Sequence, residues 1–284
     1  VATDIPTAVA PAPDGSVWFS IDFSDAIGVV RAGKVERLAK GSRNAEPIGI
    51  AVDANGTAWV TDAAAATIIG VSADGALRPV KLGTPIARLG RMAAAPDGAV
   101  WFAESSSFSI TRMKDGELRR HLLTSERGGP YGVAIAPDGT AWATLQSANA
   151  LVSIGRDGRA IEHAIPTAGA SPTDIAVDAS GAVWFLQFRT DRIGRFHQGR
   201  FEEHVLPRTR TGLTGLAAAP DGSVWFGMLR EGSIGRLRHG EFTLLKLPRQ
   251  GARPFSVAVD RAGNVWYADI GGTIGMLPAA EAAR

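Results

Sequence analysis

Pro96-Asp97-Gly98-Ala99-Val100-Trp101-Phe102-Ala103-Glu104 reads as a tight turn, an apolar strand and an acid at the strand's end. The turn and strand return in Asp221-Gly222-Ser223-Val224-Trp225-Phe226, and the tryptophan at their centre returns as Trp18, Trp59, Trp142, Trp184 and Trp266. These seven are all the tryptophans of the chain, and they stand 41, 42, 41, 42, 41 and 41 residues apart. A period near 40 residues, with units that read as several short strands, marks a β-propeller, because each unit must stack on its neighbours to bury its faces. The expected fold is all-β: a seven-bladed β-propeller of four-stranded antiparallel blades. The seven units account for nearly all of the 284 residues, so residues 1–284 are expected to form a single domain.

Within each unit an apolar run such as Ile50-Ala51-Val52 meets a turn, for example Asp14-Gly15, Asn55-Gly56 or Asp138-Gly139, and then the tryptophan strand. Asp-Gly and Asn-Gly accept the positive φ of a two-residue hairpin turn, so the two runs are antiparallel strands a and b. Strand c carries Ile-Gly, as in Ile27-Gly28, Ile193-Gly194 and Ile234-Gly235, and strand d tends to end in proline, as at Pro166, Pro207 and Pro248. The last unit lacks a strand d after Ile274-Gly275. Thr3-Asp4-Ile5-Pro6 resembles the ends of the other fourth strands, so Ala2 to Ile5 are expected to pair with Thr273 to Met276, completing blade seven and removing an open sheet edge.

Net charge is +2 and the isoelectric point is near 9.2, a small excess of Lys and Arg that does not imply nucleic acid. No apolar run approaches the roughly 18 residues of a membrane span, so a soluble protein is expected. The absence of cysteine excludes disulfides, thiolate nucleophiles and thiolate metal sites. The chain begins at Val1 without methionine, which reads as removal of a leader and favours an exported or periplasmic location.

The b-to-c and d-to-a connections share one face and are longer and more varied than the glycine turns opposite, so a site is expected there. Three residues past the tryptophan, at that rim, stand Asp62, Glu104 and Asp269 of blades two, three and seven. They are the candidate metal ligands, for magnesium or calcium, and Asp269 and Glu104 are also the candidate catalytic groups. Arg189 and Arg230 hold related positions on blades five and six, with Arg208, Arg210, Arg249 and Arg253 in the adjoining d-to-a connections. Such a distribution suits a dipolar ligand or one carrying an anionic group. Just before strand a, toward the channel mouth, come Thr7, Ile48, Gly90, Tyr131, Thr173, Thr214 and Phe255. Tyr131 and Phe255 are candidates to stack on a ligand. His121, His163 and His204 fall on outer strands, which removes a histidine base or metal cage from the mouth and leaves carboxylates as proton acceptors.

The run Pro96 to Glu104, together with Asp221 to Phe226 and Ile193-Gly194-Arg195, resembles the streptogramin B lyase (virginiamycin B lyase) family, and the resemblance extends over all seven units. It implies a magnesium-dependent seven-bladed propeller that linearises a cyclic depsipeptide by elimination at its ester. It also implies a catalytic histidine before strand a of the last blade, a helper histidine one blade earlier and a glutamate after the last blade's aromatic pair. Those positions are Phe255, Thr214 and Asp269 in this chain. Phenylalanine cannot take a proton, and loss of such a base commonly costs about 100- to 10,000-fold in rate. The expectation is a lyase-like monomer that receives a small-molecule or cyclic-peptide-like ligand at the mouth, with any metal-assisted lyase activity divergent. The alternatives are a non-enzymatic ligand- or protein-binding propeller and a gluconolactonase-type metal-dependent lactone hydrolase. No partnership with nucleic acid or membrane is expected.

Overall fold

The structure, a computed structural model, describes residues 4–41, 47–83, 88–125 and 128–283. Seven antiparallel sheets form a ring, six ordered a-b-c-d from the centre outward and the seventh a-b-c among the described residues. Blade one is Ile5–Pro11, Val17–Asp22, Ala26–Arg31 and Lys34–Ala39, and blade three is Leu89–Ala94, Val100–Glu104, Ser109–Lys114 and Glu117–Leu122. Blade seven shows Pro254–Val259, Val265–Asp269 and Thr273–Leu277 among the described residues. Of its expected closing strand, Ala2 to Ile5, residues 2 and 3 lie outside those described. Ile5 is corrected: it opens strand a of blade one and pairs with Asp22. A methyl placed on Gly272 would stand 3.4 Å from the Asp4 carbonyl, so Asp4 lies beside the turn that leads into strand c of blade seven.

The recurring residues have recurring work. Trp101 is buried in one cluster with Val133, Ala141 and Leu145 of the next blade, which places the tryptophan between adjacent sheets. Where an aspartate precedes the hairpin it serves the turn and the indole together. Asp53 accepts backbone N–H groups of Asn55 and Thr57 on one oxygen and the Trp59 indole N–H at 2.8 Å on the other, and Asp178 and Asp260 repeat this with Trp184 and Trp266. His121 and His204 stack on the tryptophans of their own blades at 5.3 and 6.0 Å, and His163 packs tilted against Trp142 at 5.2 Å, all on outer strands.

The Ile-Gly of strand c is explained by the aromatic that follows the tryptophan. Phe185 pairs across the ladder with Gly194, and its ring lies over that glycine, so that a Cβ there would stand 2.1 Å from Cζ. Gly28 under Phe19, Gly235 under Phe226 and Gly275 under Tyr267 show the same arrangement. The aromatic ring covers backbone that glycine leaves bare. Gly194→Ala is expected to destabilise the protein by about 2 kcal/mol through overpacking, read as a lower urea midpoint; an unchanged midpoint refutes the ring-over-glycine account.

Candidate functional site

Hydrogen bonds between the b-to-c turns and the d-to-a connections put both on one face. Ser105 N–H reaches the Arg88 carbonyl, Arg189 N–H that of Ala170, Arg230 N–H that of Thr211, and Ile270 N–H that of Arg253. In six blades the a–b register slips near the start of strand a. Such a bulge re-aims side chains and breaks strict alternation. Ala8, Arg91, Asp174 and Ser256 line the channel there, one step beyond the expected mouth residues, and Gly49, Gly132 and Gly215 hold the same position in the other blades.

Five of those seven are small, and the other two are a buried ion pair across the ring. Arg91 of blade three grips Asp174 of blade five through Nε at 2.8 Å and Nη2 at 3.1 Å. Its remaining N–H groups reach the carbonyls of Ile48 at 2.9 Å, Phe255 at 3.2 Å and Thr7 at 3.4 Å. The guanidinium lies 5.3 Å from the Phe255 ring centre and 6.0 Å from that of Tyr131. Burial works against the Arg91 charge, yet Asp174 and Tyr131 outweigh it and hold its pKa above the ordinary value. Burial also pushes the Tyr131 phenol up, against the pull of Arg91. The channel cavity beside this pair holds about 120 Å³. Small-molecule sites run from about 300 to 1,000 Å³, so this cavity is too small to take such a ligand within the channel.

The three acids read as metal ligands do not converge. Asp62, Glu104 and Asp269 are 1%, 0% and 0% exposed, each beside a cation near its own blade. Glu104 receives Arg120 at 3.1 Å and the Thr111 hydroxyl at 2.7 Å. Asp269 accepts Arg249 Nε at 2.7 Å and Nη2 at 2.8 Å, the backbone N–H groups of Arg253 and Gly271 at 2.8 Å each, and the Thr273 hydroxyl at 3.2 Å. Burial opposes its charge, but the hydrogen bonds from Arg249, Gly271 and Arg253 hold its pKa below the ordinary carboxylate value. Asp62 accepts the Ala65 N–H at 3.0 Å. It also lies close enough to the buried Lys40 to counter the burial that pulls that ammonium down. Among the described residues no three His, Asp or Glu side chains gather to hold a metal ion. A magnesium or calcium ion needs several oxygen ligands from one cluster, and three carboxylates that do not gather, two of them already bound by Arg120 and Arg249, do not fit one.

Thr214 and Phe255 also have structural partners. The Thr214 hydroxyl donates to the Pro254 carbonyl at 2.7 Å, tying blade six to blade seven as the Thr7 hydroxyl ties blade one to Pro47. Phe255, like Tyr131, lies against Arg91. Arg189, Arg230 and Arg253 are exposed on the rim, and among the described residues no carboxylate pairs with them. The net effect is a mouth with its acids neutralised and its free cations over blades five to seven.

Sequence reading missed Arg91 and Asp174. Their signal was two opposite charges in a ring position held elsewhere by Ala, Gly or Ser.

Seven radial sheets around a channel crossed by an ion pair define a seven-bladed β-propeller. Within that class, the model of the virginiamycin B lyase family matches residues 1–114 and 56–282, and the chain belongs to this family. A virginiamycin B lyase from Nocardia farcinica is 34% identical over 190 residues, 66% of this chain, and the chain spans 65% of that relative's length. Among solved structures, a streptogramin B lyase superposes with a TM-score of 0.92 at 23% identity, covering 97% of this chain and 94% of that one. A catalytically inactive variant of virginiamycin B lyase from Staphylococcus aureus, solved with quinupristin, gives 0.92 and 23% as well, over 97% of this chain and 95% of its own.

Proposed function

We propose that this member of the virginiamycin B lyase family binds a small or cyclic-peptide-like ligand at the channel mouth and does not carry out efficient elimination. The reading rests on one observation above others: none of Phe255, Thr214 and Asp269 offers a free base. Phe255 has no basic atom, the Thr214 hydroxyl is spent on Pro254, and the Asp269 carboxylate is saturated by Arg249 and backbone N–H groups. Proton abstraction needs a group within hydrogen-bond reach whose basicity is near the working pH, and a carboxylate with a lowered pKa is a poor one. The floor of Tyr131 and Phe255 beside Arg91 offers apolar faces to a ligand ring, and Arg189, Arg230 and Arg253 supply donors at one side.

Quinupristin incubated with the purified protein is expected to keep its chromatographic retention time, with or without added magnesium. Its affinity, read by titration calorimetry, should weaken about tenfold in Phe255→Ala, the cost of about 1.4 kcal/mol for a lost aromatic contact. Rapid conversion of quinupristin overturns the first part of the reading, and no binding heat from the wild type overturns the second.

A further inference from the structure

The face opposite the mouth carries a cavity of about 530 Å³ between blades three and four. Trp101, Arg112, Arg119 and His121 of blade three line it together with Arg156 and Gly158 of blade four. Arg112 pairs with Asp97 at 2.6 Å, but among the described residues no carboxylate lies within 4 Å of Arg119 or Arg156. Three guanidiniums against the one carboxylate of Asp97 leave the lining with two positive charges in excess. The Arg156 Nε is held in place by the Asp138 carbonyl at 2.9 Å, which leaves its outer N–H groups for a ligand.

His121 forms the back of the cavity. It is 8% exposed, stacks on Trp101, and has Nδ1 3.3 Å from the Gly158 carbonyl oxygen, while Nε2 is buried with no partner. Burial pushes its pKa down, and the charges of Arg119 and Arg112 push it further. A neutral imidazole therefore sits behind a cationic wall.

The same chain shows what such a groove accepts. Between blades six and seven, Trp225 pairs across the ladder with Arg236 as Trp101 does with Arg112. There the groove is filled by the chain's own C-terminal helix, Ala279–Ala282. Ala282 packs in the cluster of Trp225, Leu247 and Val265, the Ala279 N–H donates to Asn264 Oδ1 at 2.9 Å, and the buried Arg236 donates to the Ala282 carbonyl. An arginine of strand c standing over the tryptophan thus already holds a backbone oxygen of a short peptide.

We propose that the cavity between blades three and four is a binding site for an acidic peptide segment, whose carboxylates meet Arg119 and Arg156 while its backbone lies across Trp101 and Arg112. The volume falls in the range of a built ligand site, and planar guanidiniums match carboxylate oxygens two at a time. This site is independent of the mouth.

Titration calorimetry at low salt with a hexaglutamate peptide and, separately, with glutarate tests it, because screening at high salt would mask an exposed ionic contact. The peptide is expected to bind the wild type and to lose at least tenfold in affinity in Arg119→Ala/Arg156→Ala, with Arg119→Lys/Arg156→Lys in between. Both arginines are exposed, so the variants are expected to fold, and a thermal melt checks this. The apparent pKa of the His121 ring, followed by NMR, should rise in the peptide complex as carboxylates offset Arg119 and Arg112. Absence of peptide binding, equal affinity in the double alanine variant, or glutarate binding as tightly as the peptide overturns the proposal.

Discussion

Arg91→Met is expected to lower the melting temperature by roughly 10 °C, the counterpart of about 3–5 kcal/mol for breaking a buried ion pair from one side in a chain of this size. The loss comes less from the missing attraction than from what is left behind. Asp174 would remain inside the ring with no cation, and the carbonyls of Ile48, Phe255 and Thr7 would lose their shared donor. The double variant Arg91→Met/Asp174→Leu should recover most of the loss, since removing both charges eliminates the uncompensated one. Calorimetry on the two variants decides the matter. A single variant as stable as the wild type, or a double variant no better than the single, contradicts the role assigned to the pair.

Asp269→Asn is expected to lower the melting temperature by about 5 °C at pH 7. The Asp269 oxygens accept from Arg249 on both sides and from the backbone N–H groups of Arg253 and Gly271. An asparagine keeps one acceptor and turns an NH2 group toward donors, so it exchanges hydrogen bonds for repulsion. The folded pKa of Asp269 is depressed, so its contribution is present above the ordinary carboxylate pKa of about 4 and is lost as pH falls through the folded value. The wild type's advantage over Asp269→Asn should therefore be full at pH 7 and shrink below about pH 4. Denaturant midpoints of both proteins across that interval test it, and an advantage that persists unchanged at the acid end refutes the ionic origin.

The ring was legible because its determinants are local and periodic. Trp101 and its six counterparts, the hairpin glycines and the Ile-Gly of strand c each answer to geometry within one blade or between two. Charge positions at the rim were legible as well, and Asp62, Glu104 and Asp269 do stand where strand b ends. Their partners were not legible: Arg120 lies sixteen residues after Glu104 and Arg249 twenty before Asp269, on neighbouring strands and connections. A row of acids that looks convergent along the repeat becomes three separate neutralised contacts. The channel pair escaped for a different reason. Reading side-chain direction from alternation assumes an unbroken strand, and the slip between Leu89 and Met92, like that between Pro172 and Ile175, shifts the direction by one residue. Arg91 and Asp174 then point where alternation denies them.

A chain of stacked repeats ordinarily holds together through nearest-neighbour interfaces, so its units can melt in sequence from a weak end. Arg91 departs from that rule. From blade three it reaches Thr7 of blade one, Ile48 of blade two, Tyr131 of blade four, Asp174 of blade five and Phe255 of blade seven, so one side chain couples blades that share no interface. Unfolding should accordingly be all-or-none, with the ring opening as a unit, and the Arg91→Met transition should broaden as well as move, its van't Hoff enthalpy falling below the calorimetric one as the blades regain independence.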